Sequence, residues 1–190
     1  MRRFIFVLGA LLMSATTANA SDLENTLYLQ TKNGRIVIEL RPDLAPNHVA
    51  RIKELARQKF YDGIVFHRVI DGFMAQTGDP TGTGSGGSDL PDLKAEFNSA
   101  KHVRGTLSMA RAGDPDSANS QFFICFKPAS FLDGQYTVFG QVVEGMQYVD
   151  MIKKADPSDS SGTVVKPDKI KTLRVAADVE KTAPAKAAAN

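Results

Sequence analysis

Thr26 to Thr31 alternates apolar and polar residues, with Leu27 and Leu29 on one face. Arg35 to Leu40 repeats the alternation through Ile36, Ile38 and Leu40. A period of two predicts half-buried strands. Lys32-Asn33-Gly34 lies between them, and Asn-Gly is a strong hairpin signal, so the chain is expected to open with an antiparallel pair. From Pro46 to about Phe60 the period changes: Val49, Ile52, Leu55 and Ala56 follow a helical spacing. Pro46 suits the first turn, where its missing N–H costs nothing, and Asp62-Gly63 marks the exit.

Further strands are predicted over Ile64 to Ile70, Gly105 to Ala110, Gln121 to Phe126, Tyr136 to Val143 and Ile170 to Val175. Gly78 to Leu90 reads as a glycine-rich loop. Gly145 to Ala155 reads as a second helix through Met146, Val149 and Ile152. Many strands with two separated helices predict a closed β-barrel carrying helices at its ends. Residues 176–190 are rich in Ala and Lys and carry little apolar bulk, which predicts a flexible tail. No internal repeat or second domain is visible.

Residues 1–20 have the pattern of a signal peptide: Arg2 and Arg3, the apolar stretch Phe4 to Met13, then Ala18-Asn19-Ala20 before a cleavage point. That stretch is far below the roughly 20 residues needed to span a bilayer. No later apolar run is long enough, so an exported protein without a membrane partner is expected, with residues 21–175 as its folded domain. Among 190 residues there is one cysteine, Cys125, so no intramolecular disulfide can form and the core must hold the fold alone. Cys125 sits in the apolar run Phe122 to Phe126 and reads as a small buried hydrophobe. A formal net charge of +2 gives no ground for a nucleic-acid partner.

Two patterns mislead. Gly82 to Gly87 matches G-x-G-x-x-G, but Asp89-Leu90-Pro91-Asp92 follows where a helix should open, so a flexible surface loop is the better reading. His48, His67 and His102 are far apart and in no metal-ligand spacing. No serine lies in a nucleophile elbow, and the acidic residues are scattered.

Three segments carry the chemistry. The first is Phe66-His67-Arg68-Val69-Ile70-Asp71-Gly72-Phe73-Met74-Ala75-Gln76-Thr77-Gly78-Asp79. The second is Gly105-Thr106-Leu107-Ser108-Met109-Ala110 followed by Ser120-Gln121-Phe122-Phe123-Ile124. The third is Phe131-Leu132-Asp133-Gly134 with Val138-Phe139-Gly140. In order and spacing they resemble the signature of the cyclophilin family, from about Leu27 to Val175. The resemblance implies a mainly β fold, a closed eight-stranded antiparallel barrel capped by two α-helices. It also implies peptidyl-prolyl cis-trans isomerase activity, which needs no cofactor or metal. The partners would be proline-containing unfolded or partly folded polypeptides, and the protein a monomer.

By the same resemblance Arg68 is the catalytic residue. Phe73, Met74, Phe123 and Leu132 form the proline pocket, and Gln76 and Gln121 orient the arginine and the substrate backbone. Ala110, Arg111, Phe131 and Tyr136 complete the substrate-binding set. Taken singly, the apolar four read as core side chains and Arg68 as a surface ion-pair partner; the joint match assigns them to a site. Alternation places Gln121 and Phe123 on one strand face, Phe122 and Ile124 on the other.

Three positions depart from the family pattern. Phe131 stands where many eukaryotic members have a tryptophan whose indole N–H helps bind cyclosporin, so only weak cyclosporin binding is expected. Tyr136 replaces a pocket histidine but keeps a flat ring with a polar tip. Arg111 replaces an asparagine that meets substrate largely through its backbone N–H, and the added charge is expected to favour acidic residues near the proline. Two other readings stand beside this one: a non-catalytic chaperone or adaptor that holds proline segments in the same groove, and a ligand-carrying barrel, against which the bulky run at 122–126 argues. Export points to the periplasm, with secretion to the medium as the other destination.

Overall fold

A computed structural model describes residues 20–182. Eight strands form one antiparallel sheet: β1 Thr26–Gln30, β2 Arg35–Leu40, β3 Arg68–Ile70, β4 Met74–Thr77, β5 Thr106–Met109, β6 Phe122–Cys125, β7 Val138–Glu144 and β8 Thr172–Val175. Their spatial order is β3-β4-β6-β5-β7-β2-β1-β8. The helices are α1 Ala20–Glu24, α2 Pro46–Arg57, α3 Met146–Asp150 and α4 Ala176–Thr182. The opening hairpin forms as its alternation predicts, with Leu27 opposite Ile38 and Leu29 opposite Ile36.

The curled sheet buries one face. Leu29, Ile36, Ile38, Val69, Ala75, Phe122, Ile124 and Phe139 are almost wholly removed from water in one continuous core. Tyr61 stacks edge-on against Phe122, and Phe122 against Phe139, with centroids 5.7 and 6.0 Å apart. The interior is therefore filled by side chains, as the bulky run predicts, and each fully buried one contributes about 1.5–3 kcal/mol. Cys125 is buried, and desolvation pushes its thiol up to about 12, so it is an inert packing group rather than a nucleophile.

Several expectations need correction. The barrel is not closed by a strand ladder, because β3 and β8 do not pair. Their seam is joined instead by flanking segments: Gly63 N–H donates to Ile170 O, Ile170 N–H to Ile64 O and Phe66 N–H to Asp168 O, at 2.8–2.9 Å. Pro167 has no N–H to give a ladder, and Lys166 beside it takes a left-handed φ of 53°. For the same reason the strand expected over Ile64–Ile70 is regular only at β3. β4 fell inside a motif and was not predicted as a strand.

Among the described residues there are four α-helices rather than two. α2 stops at Arg57, short of Phe60, because Lys59 turns left-handed (φ 59°) while Phe60 N–H bonds back to Leu55 O. Its N-cap residue Ala45 has no capping side chain. Glu96 caps it from outside, accepting from the N–H groups of Asn47 at 3.1 Å and His48 at 3.0 Å. α3 covers only part of 145–155, since Lys153 N–H goes to the Asp168 carboxylate and Ala155 N–H to Val69 O.

The expected tail begins as α4. Ala176 and Ala177 are small enough to bury, Asp178 pairs with Arg57 at 2.9 Å, and Tyr28 Oη donates to Glu180 at 3.3 Å. Docking through small residues and charges needs little apolar bulk, which is why composition missed it. Residues 183–190 and the expected leader, apart from Ala20, lie outside the described residues. The glycine-rich loop at 82–87 has no helix after it and is tied down rather than loose: Ser88 N–H and Oγ both donate to Asn119 Oδ1.

Two carboxylates hold loops near the outer face. Asp133 accepts from the backbone N–H and the ring of His102, which with Lys101 hold it down to about 2 from an ordinary 3.8. Burial pushes Asp79 up, but hydrogen bonds from Thr81, Gly86 and Gly84 outweigh it and leave it also at about 2. A folded-state pKa below the unfolded one stabilises the fold above about pH 4, and the gain disappears as pH falls towards 2. His48 and His67, held low by burial, start a separate decline below about 6.5. Asp133→Asn should therefore be less stable than wild type at neutral pH, with the gap closing between about pH 4 and 2. Chemical-denaturant midpoints across that range check this; a gap that persists at pH 2 would contradict it.

Candidate active site

Register places the site residues in rows across the outer face of the sheet. Arg68 on β3 pairs with Gln76 on β4, Gln76 with Phe123 on β6, and Phe123 with Ser108 on β5. Directly opposed residues share a face. The next row holds Ile70, Met74 and Cys125. Gln121 precedes Phe123 by two residues and so belongs to this face, while Phe122 and Ile124 point into the core. A second, smaller cluster forms here from Met74, Phe123, Cys125, Ala129 and Leu132, with Phe73, Ala110 and Tyr136 packed on it.

Into this cluster opens a pocket of about 120 Å³ lined by Arg68, Phe73, Met74, Gln76, Ala110, Arg111, Phe123, Leu132 and Tyr136. Thus nine of the eleven residues read from the motifs share one cavity. Met74, Phe123 and Leu132 are buried and make an apolar floor. Phe131 lies outside it: its ring is 65 % exposed and leans on Phe73, centroids 5.4 Å apart. Gln121 also stands outside, behind Gln76.

Arg68 is held from two sides. Its Nε–H donates to the Ser161 carbonyl at 2.9 Å and its Nη1 to Gln76 Oε1 at 3.3 Å. Gln76 Nε2 then donates to Gln121 Oε1 at 2.9 Å, and Gln121 Nε2 donates to the carbonyls of Gly84 at 3.0 Å and Gly86 at 2.8 Å. A guanidinium only donates and a carbonyl only accepts, so both ends of this relay fix the same orientation for each amide. Two of the five guanidinium N–H groups are engaged; among the described residues Nη2 has no partner. Gly78 lets the strands approach closely enough, since a Cβ there would sit 2.4 Å from Ser120 O and 2.8 Å from the Gln121 Cα.

Arg111 braces the opposite wall. Its guanidinium lies 4.5 Å above the Tyr136 ring, with Nη1 donating to Ala112 O at 2.9 Å and Nη2 to Gln135 O at 3.1 Å. No described residue accepts from its backbone N–H, which leaves that donor available at the pocket's edge. Gln76, Ala110 and Arg111 also form the shared wall with a more polar cavity of about 530 Å³ that includes Gly84, Gly86 and Asn119.

Beneath the floor, His102 Nδ1 lies 3.0 Å from Asp133 Oδ1 and its Nε2 3.0 Å from Ser108 Oγ. The series resembles a hydrolytic triad, but Ser108 is fully buried and bonds to Thr137 O. It cannot reach a substrate; it supports the His102 ring, which stacks on Phe123.

Sequence reading missed Ser161, the Gly84 and Gly86 carbonyls and the His102–Ser108 support. The first three act through backbone oxygens, which every residue type possesses, so no side-chain signal marks them. The last was visible only as two polar residues among strands.

Comparison with known proteins identifies the family. Residues 26–175 match the family described as cyclophilin type peptidyl-prolyl cis-trans isomerase/CLD. A probable peptidyl-prolyl cis-trans isomerase of Brucella suis is 53% identical over 175 residues, covering 86% of this chain and 89% of that one. Peptidyl-prolyl cis-trans isomerase B of Bacillus subtilis is 43% identical over 130 residues, 68% of this chain and 90% of that one. A cyclophilin from Hirschia baltica superimposes with a TM-score of 0.73 at 28% identity, covering 86% of this chain and 77% of its own. A Cryptosporidium parvum cyclophilin, solved in the presence of the dipeptide Ala-Pro, gives 0.72 at 32% identity, covering 79% of this chain and 98% of its own. The match over residues 26–175 and these relatives show that the chain belongs to the cyclophilin-type peptidyl-prolyl cis-trans isomerases.

Proposed function

We propose that the chain is exported and speeds the folding of polypeptides outside the cytoplasm, in the periplasm, by rotating X-Pro bonds with Arg68 as its catalytic residue. The observation that carries the catalytic part is a guanidinium anchored by Ser161 and Gln76 at the lip of an apolar pocket, with donors left over.

Resonance opposes rotation about the amide by about 18–20 kcal/mol. At an X-Pro bond the isomers differ by only about 0.5–1 kcal/mol, yet exchange takes tens to hundreds of seconds. No covalent bond breaks and no proton leaves, so the catalyst needs only to bind the twisted amide better than either planar form. Twisting returns a lone pair to the proline nitrogen, which then accepts a hydrogen bond from the free Arg68 donors. The carbonyl loses charge separation and is less penalised by apolar surroundings. The floor of Met74, Phe123 and Leu132 holds the ring while the preceding residue turns, and the Arg111 backbone N–H meets the peptide. The Ala-Pro dipeptide named for the Cryptosporidium relative supports proline as the occupant.

A millionfold acceleration requires about 8 kcal/mol, whereas a charge-assisted hydrogen bond contributes about 1.5–3 kcal/mol. Arg68 therefore acts together with ring burial and water exclusion.

Export rests on the basic start, short apolar stretch and Ala18-Asn19-Ala20 of the leader. Just beyond it Leu23 packs on the core, and Glu24 pairs with Lys53 and Arg57 at 3.0 and 2.8 Å, so a chain starting at Ser21 keeps these contacts.

Arg68→Ala should lower kcat/KM for a proline tetrapeptide about 10- to 150-fold while leaving thermal unfolding nearly unchanged. Undiminished exchange would refute the role of Arg68, and a wild type that binds the peptide without accelerating exchange would favour the adaptor reading. Phe131→Trp restores an indole donor on an exposed ring and should tighten cyclosporin inhibition about 3- to 10-fold from a weak starting value; potent inhibition of the unaltered protein would contradict this. Mass spectrometry of the protein from fractionated cells should find Ser21 as its N-terminus in the periplasm, and a full-length cytoplasmic form would overturn export.

A further inference from the structure

The relay that orients Arg68 ends on the Gly84 and Gly86 carbonyls, and those carbonyls are held in turn by a side chain that touches no part of the pocket. Asp79 is fully buried under the glycine loop. Its Oδ1 accepts from Thr81 N–H at 2.7 Å and Thr81 Oγ1 at 2.8 Å, and its Oδ2 from Gly84 N–H at 2.6 Å and Thr83 Oγ1 at 3.4 Å. The loop wraps so closely that a Cβ on Gly86 would stand 2.2 Å from Asp79 Oδ1. With the N–H groups of this loop turned onto the carboxylate, the carbonyls of Gly84 and Gly86 face Gln121.

We propose that Asp79 is a positioning residue for the isomerisation, setting the direction of Arg68 through the glycine loop, Gln121 and Gln76. This rests on Arg68 being the catalytic residue. Every link has one possible polarity. Asp79 only accepts, the loop donates to it and offers carbonyls outward, and Gln121 and Gln76 pass that orientation on. If the two carbonyls move away, Gln121 loses its outer anchor and only the Arg68 end still holds the relay in direction. Gln76 can then turn, and Arg68 keeps only its bond to Ser161. The carboxylate's low pKa, about 2, keeps it an acceptor throughout the working range.

Asp79→Asn places a new N–H group against the Gly84 N–H while keeping the size of the side chain. It should lower kcat/KM for a proline tetrapeptide about 3- to 10-fold, with the loss in kcat rather than KM. In a Gln121→Ala background, where the relay is already cut, the same substitution should change the rate less than about twofold. A merely structural role would give the same factor in both backgrounds. Thr81→Val, an exposed position that removes one donor to Oδ1, is carried through the same cycle and supplies the answer if Asp79→Asn does not fold. An equal loss in both backgrounds, or no loss in either variant, overturns the proposal. Arg68→Ala measured alongside separates the two readings: full activity there refutes the catalytic assignment, whereas lost activity there with additive Asp79 effects refutes only the positioning role.

Discussion

The Arg68 guanidinium can only donate, so whatever fixes its direction must be an acceptor that is itself fixed from elsewhere. Two such acceptors converge on it from different parts of the fold. The Ser161 carbonyl comes from the long connection after α3, which is stitched along the seam by Val69 N–H to Gly162 O and Val164 N–H to His67 O. Gln76 comes from the neighbouring strand, directly opposite in register. Amide side chains have an oxygen end and a nitrogen end, so a row of them has a direction, and this row is pinned at both ends by groups unable to exchange roles. Isomerisation makes no covalent bond that could draw misplaced groups together. In the mechanism proposed for Arg68 the donor must already face the proline nitrogen when the peptide arrives, because a developing lone pair is best stabilised by groups aligned in advance.

The sheet makes this affordable by separating its tasks across two faces. Val69, Ala75, Leu107 and Ile124 point inward to the main core, while Arg68, Gln76, Phe123 and Ser108 form the outward row between them. The pocket floor is still a packed cluster: Met74 and Phe123 are almost fully buried and rest on Cys125, Ala129 and the His102 ring. Truncating either would open a cavity as well as enlarge the site, so losses of rate and of stability would come together there. Arg68 and Gln76, which line the opening, separate the two effects.

Much of this was legible along the chain. The alternation at Leu27–Leu29 and Ile36–Leu40 gave the hairpin, and the helical spacing of Val49, Ile52, Leu55 and Ala56 gave α2, because both patterns bury one face directly. What escaped depended on partners distant in sequence. β3 is short because Pro167 and Lys166 break the segment opposite it. α4 docks through Ala176, Ala177 and the pair Arg57–Asp178, separated by more than a hundred residues. The motif residues assemble around one pocket, but their supports, Ser161 O and the Gly84 and Gly86 carbonyls, are backbone atoms that side-chain patterns do not encode. Gly82 to Gly87 reads as a flexible loop because no helix opens after it; its order comes from Asp79 and Asn119 instead.

Arg111 shows how burial and contact change the meaning of a charge. Its sequence position implies an added cation beside the substrate and a preference for acidic neighbours of proline. In the fold the guanidinium donates to the Ala112, Gly113 and Gln135 carbonyls and sits over the Tyr136 ring. Carbonyl dipoles and an aromatic face both offset the field of a cation, and Asp92 lies across the adjoining cavity with the opposite charge. An approaching carboxylate therefore meets a cation already surrounded by acceptors. What the residue does supply is geometry: it ties the 111–113 turn to the segment at 135–136 and presses Tyr136 edge-on to Phe123. The arginine and the tyrosine, which look like two separate departures from the family pattern, form one contact, and the shape of the pocket mouth depends on both.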